Sequence, residues 1–147
     1  MPATPESDQK ILTLAQANAA LPKVLQLIER LQQLQREIRD GEQRRGELTE
    51  QIATGNGQSR TVLQDQLHAG TARHDQLMAE AESTFAQLMA LGAMVKDLET
   101  GLVDFFGKRE DEVVLLCWRL GEEMRIQHWH TLEGGFAGRE PVDGLIK

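Results

Sequence analysis

Apolar residues over the first hundred positions recur every three or four residues, and from Gly101 onward they gather into short runs broken by glycines and charges. The first rhythm is helical, the second that of strands. Thr13-Leu14-Ala15-Gln16 has the spacing in which a Thr hydroxyl caps the amide three residues on while the Gln side chain reaches back, so a helix is expected to begin there. Ala17, Leu21, Val24, Ile28 and Leu31 follow on one face. Leu34, Ile38, Gly41, Arg45, Leu48 and Ile52 resume after an extra three-residue step, a stammer that overwinds a supercoil locally. Pro22 predicts a bend, either as a kink or as the opening of a second helix after Leu21.

Gly55, Asn56 and Gly57 break the pattern, and Thr61-Val62-Leu63-Gln64 repeats the capping spacing, so the chain is expected to turn back into a second helix. Leu63, Leu67, Gly70, His74, Leu77, Ala81, Thr84, Leu88, Leu91, Val95 and Leu98 keep a heptad rhythm, and Glu99-Thr100-Gly101 reads as its end, with glycine at the left-handed position. With the turn near Asn56, Gly41 and Arg45 face Gly70 and His74, where the seam is weakest. The expectation there is a fraying tip with Arg45 and His74 in solvent; the alternative is a gap that accepts a partner side chain.

Leu102–Phe106, Val113–Leu120 and Met124–Thr131 read as strands, with Val113–Leu120 central because it is apolar on both sides. The expected fold class is α+β: a long, coiled-coil-like antiparallel two-helix hairpin, a small three-stranded antiparallel β-meander and a Gly-rich C-terminal tail. It is read as one domain over 1–147, with the first helix at 11–53, the second at 60–100, the meander at 101–131 and the tail at 132–147. At ~1.5 Å per residue the second helix would be roughly 55 Å long, more than such a sheet can cover, so part of the hairpin is expected to stand alone or meet a partner.

Charge narrows the partners. Sixteen Lys and Arg against 23 Asp and Glu leave a net charge of −7, which repels polyanions, so nucleic acid is not expected as a partner. Cys117 is the only cysteine and makes no internal disulfide. The stretch from Met1 to Lys10 lacks the apolar core of a signal peptide, and no apolar run approaches the ~20 residues that cross a bilayer, so a soluble cytoplasmic protein without a membrane partner is expected.

Reactive side chains concentrate late. Both tryptophans, the cysteine, two of four histidines and three of four phenylalanines lie between Gly101 and Arg139, which is where a site is expected. His128 and His130, at i and i+2 on one side of a strand, could share a metal with a third ligand from Asp104, Glu122 or Glu133, or with Cys117 as a further donor. The commoner reading of such a pair is half-exposed histidines facing carboxylates, and no cofactor is expected. Gly134-Gly135-Phe136-Ala137-Gly138-Arg139 combines converging amides with a guanidinium that suits a small anionic ligand, without the Lys-Ser or Lys-Thr ending of a P-loop. The commoner reading of such a segment is a turn-rich tail in which Phe136 plugs the core and Arg139 pairs with Asp104 or Glu122. His130 is the candidate general base, oriented by Asp104 or Glu122, but nothing supplies a nucleophile, since Cys117 sits in an apolar run where a small buried hydrophobe is expected. Arg139, Trp118, Trp129 and Phe136 form the candidate ligand-binding set, the tryptophans being read first as core and anchor residues.

Thr13-Leu14, Ala17-Asn18 and Leu21-Pro22, then Gly101-Leu102-Val103-Asp104-Phe105, Cys117-Trp118-Arg119-Leu120-Gly121-Glu122, Trp129-His130 and Gly135-Phe136-Ala137-Gly138-Arg139-Glu140-Pro141 carry a resemblance over nearly the whole chain. The sequence resembles a prokaryotic family catalogued only as a domain of unknown function, family number 2203. The resemblance implies no activity, but it points to Asp104, Trp118, Gly121, Glu122, Trp129, His130, Phe136 and Arg139 as matching positions. His128 departs from it, where an aromatic is usual, which counts against a His128–His130 metal pair. Phe106 stands where a proline is expected and leaves the end of the first strand open.

Together these readings favour a small non-enzymatic interaction or scaffolding module that uses the hairpin for a protein partner or for self-association. The alternative is a small-molecule or anion-binding, or enzymatic, site built on Asp104, Glu122, His130 and Arg139.

Overall fold

The computed structural model describes residues 10–55 and 59–144; the turn residues Asn56 and Gly57, the polar start before Lys10 and the tail end at Ile146 lie outside them. Its elements are α1 (Leu14–Thr54), α2 (Arg60–Ala90), β1 (Met94–Asp97), β2 (Leu102–Arg109), β3 (Glu112–Arg119), β4 (His128–His130) and β5 (Glu140–Pro141), with 3-10 turns at Phe136–Gly138 and Val142–Gly144. The chain forms two compact units, one from the residues up to Glu29 together with those from Ala86 on, the other from Arg30–Phe85. Among the described residues no helix is long and apolar enough to cross a membrane.

The expected capping box starts α1. Thr13 N–H donates to Gln16 Oε1 at 2.9 Å and Gln16 N–H to Thr13 Oγ1 at 3.1 Å. α1 does not break at Pro22, which lies exposed beside buried Leu21 with Val24 buried beyond it. The ring removes one backbone donor of an early turn, and the helix on either side has enough other bonds to continue.

Within the unit Arg30–Phe85, every described seam position is buried or half-buried, with Leu34, Leu48, Leu63 and Leu77 almost fully enclosed. Two corrections follow at its far end. Arg45 and His74 are not in solvent: Arg45 Nη2 and His74 Nδ1 are 3.0 Å apart and part-buried, because Gly70 leaves room for the Arg45 stem, whose Cγ would lie 3.2 Å from a Cβ added there. The glycines leave a cavity of about 110 Å³ lined by Ile38, Gly41, Arg45, Leu48, Gly70 and His74, among others. α2 is capped by Ser59 rather than Thr61. Its Oγ accepts Val62 N–H at 3.3 Å, since Ser59 lies closer to the turn and releases two more residues to the helix.

α2 ends at Ala90, ten residues before the expected end. Gly92, at φ +88°, donates to the Met89 carbonyl at 2.9 Å while Ala93 N–H reaches Leu88 at 3.0 Å, the paired bonds of a left-handed helix stop. The apolar spacing that continues through Leu91, Val95 and Leu98 belongs instead to the approach to and course of β1, where Met94 pairs with Asp104 and Val95 with Val103. Over so few residues a heptad remnant and a strand are the same pattern, and ladder bonds to β2 decide between them. Gly101 does need positive φ (+72°), but for the β1–β2 turn, where an added Cβ would sit 2.6 Å from that of Leu120.

The sheet is a five-stranded antiparallel meander in the order β1-β2-β3-β4-β5, with β3 central as expected. The three-strand count is therefore corrected at both edges: β1 comes from the expected helix end and β5 from the expected tail. β2 runs past Phe106 to Arg109, and beyond β1 its edge is met by the chain before α1, Leu12 N–H donating to Phe106 O at 2.8 Å. The expected strand Met124–Thr131 shrinks to His128–His130 because the preceding loop spends its bonds elsewhere. Ile126 N–H goes to Asn18 Oδ1 of α1 at 2.6 Å, and the Glu123 carbonyl accepts Trp118 Nε1–H at 2.8 Å.

Candidate functional site

Register across the sheet builds the site. Asp104 on β2 lies opposite Cys117 on β3, and Cys117 opposite His128 on β4; His130, opposite Leu115, is diagonal to Cys117. Strand alternation turns these four side chains to one side of the sheet. Cys117 is fully buried, and Asp104 and His130 are each 3% exposed.

His130 Nε2 is 3.2 Å from Asp104 Oδ1 and 3.2 Å from Oδ2, while Nδ1 lies 2.8 Å from the Thr131 carbonyl and must donate to it. A neutral imidazole with its proton on Nδ1 turns a lone pair toward the carboxylate. Two acceptors at that distance need a proton or a cation between them. The hydrogen bond to Asp104 accordingly raises the His130 pKa above its ordinary 6.5, against the opposing effect of burial and with help from the Thr131 carbonyl. Burial, seconded by the Asp104 charge, pushes the Cys117 thiol up to about 12. It is a neutral thiol near pH 7 and not an activated nucleophile.

A second pair stands beside the first. Arg139 Nη2 reaches Glu122 Oε2 at 2.7 Å and Oε1 at 3.0 Å, and lies 2.6 Å from His128 Nδ1. Glu122 Oε1 also accepts Arg119 N–H at 2.9 Å, tying the end of β3 to the loop that follows it. Arg139 is close enough to act electrostatically on both Cys117 and His130, and its Nε is buried without a hydrogen-bond partner.

Four of the residues carrying the sequence resemblance thus meet as two pairs, Asp104 with His130 and Glu122 with Arg139, and a family model described as an uncharacterized conserved protein matches residues 10–142. The chain belongs to the DUF2203 family. No curated protein matches it, and no solved structure does.

For this DUF2203 chain the four residues named as an alternative site come together as two pairs, Asp104 with His130 and Glu122 with Arg139. The general-base candidate is oriented by Asp104, not Glu122. His128 is taken by Arg139, so the potential donor cluster of the described residues is Asp104, Cys117 and His130, with one donor atom of each within 4.8 Å of the other two. Glu133 is exposed and takes no part.

Trp118 and Trp129 face the other side of the sheet, one bonded to Glu123 O and the other to Pro141 O at 3.2 Å, as core and anchor residues. Phe136 does not plug the core. It is 38% exposed and in contact with two cations, the Arg139 and Arg119 guanidinium carbons lying 4.5 and 5.0 Å from its ring centre. Two of the tail's glycine amides bond within their own turns, Gly134 N–H to Thr131 Oγ1 at 2.9 Å and Gly138 N–H to Gly135 O at 3.0 Å. The participation of Cys117 beside Asp104 was the least legible feature, because its local context is that of a core residue and only the strand register sets it among polar groups.

Proposed function

We propose that the DUF2203 chain is a small-ligand binding module whose working face is the side of the sheet between Asp104–His130 and Glu122–Arg139. One observation carries this reading: polar residues from β2, β3, β4 and the segments after β3 and β4 converge around a buried thiol, with two mutually facing acceptors at one end and an unsatisfied buried donor, Arg139 Nε, at the other. An unmet buried donor costs about 1–3 kcal/mol, so a ligand atom that satisfies it gains affinity. The neutral Cys117 thiol supports binding over turnover.

A thermal-shift screen against divalent metals and anionic metabolites tests it. A ligand at a hundred times its dissociation constant adds ~2.7 kcal/mol, which raises the melting temperature by roughly 5 to 10 °C. Double substitution His130→Gln with Arg139→Gln is expected to abolish that shift and leave a folded protein. A shift that survives the double substitution overturns the reading.

A second reading keeps the hairpin as an interaction surface, supported by Met78 and Phe85, which lie seven residues apart on α2 and are 48% and 44% exposed. Self-association through that face predicts a concentration-dependent oligomer by sedimentation that Phe85→Glu dissolves; a monomer at all concentrations rejects self-association.

A further inference from the structure

We propose that Asp104, Cys117 and His130 bind one divalent metal ion of the zinc class through a carboxylate oxygen, the cysteine sulfur and His130 Nε2, leaving a fourth position for a small ligand. The proposal rests on reading this sheet face as a binding face and names what it holds.

The donor set selects the ion. A thiolate, an imidazole and a carboxylate suit a borderline-soft, four-coordinate cation; magnesium and calcium take oxygen ligands and gain nothing from sulfur. The spacing is close to closure. One donor atom from each residue already lies within 4.8 Å of the other two, and His130 Nε2 is 3.2 Å from Asp104. Bonds of about 2.0 to 2.3 Å set zinc ligands roughly 3.3 to 3.8 Å apart, so about an ångström of side-chain movement completes the site.

The outer shell is in place as well. The Thr131 carbonyl holds the His130 proton on Nδ1 at 2.8 Å, which aims the Nε2 lone pair into the cluster, as metal-binding histidines require. Charge balances too. The metal–sulfur bond forms as the S–H bond breaks, the metal takes the place of the proton held between His130 Nε2 and Asp104, and both protons leave to solvent, so a dication joined to one thiolate, one carboxylate and a neutral imidazole carries no net charge in a buried place. The cation also resolves the facing of carboxylate and imidazole acceptors.

The experiment is to strip the purified 147-residue chain with a chelator, reload it with zinc sulfate or cobalt chloride, and measure bound metal and the cobalt absorption spectrum. One ion per chain is expected, with a near-ultraviolet thiolate-to-cobalt charge-transfer band. Cys117 is the only cysteine, so that band assigns the ligand without any variant. Cys117→Ser, His130→Gln and Asp104→Asn should each weaken zinc binding by more than the roughly tenfold that loss of an outer partner costs, while His68→Ala, at an exposed histidine of α2, should not. Zinc retained by Cys117→Ser overturns the proposal, as does a cobalt complex without the band. Metal lost with His128→Phe but kept with Cys117→Ser would move the site to the His128–His130 pair and also overturns it. If neither metal binds while an anionic compound still stabilises the protein through Arg139, the binding face stands and the metal inference falls.

Discussion

His130 Nε2 stands 3.2 Å from each carboxylate oxygen of Asp104, across two strands and 26 residues of sequence, with both side chains 4% exposed. Neither strand is adjacent to the other in the sheet, so β3, with Cys117 between them, sets the distance.

The pair makes the metal-free protein sensitive to pH. The His130 pKa is raised in the folded state above the ordinary 6.5 that it has when unfolded. Its contribution is therefore fully present below pH 6.5 and is lost as pH rises through the folded-state value. Urea midpoints of chelator-treated protein are expected to fall across that window, and in His130→Gln the same stretch should be flatter. Parallel pH profiles for the two proteins would refute the assignment.

Asp104 acts on two neighbours at once, raising His130 by its hydrogen bond and adding to the burial that raises Cys117. Asp104→Asn should lower both. Imidazole titration by NMR and the pH dependence of thiol alkylation in the same variant read the two effects, and a shift in only one would show that the carboxylate is not shared.

Arg139 and Glu122 are 11% and 19% exposed, so their ion pair is poorly screened. Arg139→Met leaves Glu122 with one backbone donor and should cost about 2 kcal/mol. Arg139→Lys should recover only part of it, because an ammonium does not reproduce the planar guanidinium that lies over Phe136. A denaturation cycle with Glu122→Gln should return a coupling of about 1 kcal/mol or more; additive losses would mean that the pair contributes little.

The two facing glycines of the hairpin should respond differently to alanine. A Cβ at Gly41 meets nothing within 4 Å, whereas one at Gly70 would lie 3.2 Å from Arg45 Cγ. Gly41→Ala should stabilise by up to ~1 kcal/mol, about 3 °C in melting temperature, and Gly70→Ala by less. Equal gains would show that the Arg45 stem yields freely.

The sequence by itself determined what depends on neighbours close along the chain. The Thr13–Gln16 cap was legible because both partners lie within one helical turn, and the hairpin seam because burial on a helix repeats with the helix period, so Leu34 and Leu77 declare their faces without reference to each other. The concentration of imidazole, thiol and indole groups after Gly101 marked the region of the candidate site for the same reason. Only the tertiary structure decided whether Leu91 to Leu98 continued a helix or led into a strand, whether Trp118 shared a face with His130, and whether Cys117 lay against Asp104. Each of these turns on register, and a shift of one residue in a strand moves every side chain to the opposite face. Register is set by hydrogen bonds between segments distant in sequence, so the residues of the site could be named one by one, but their grouping around Cys117 came from the folded sheet.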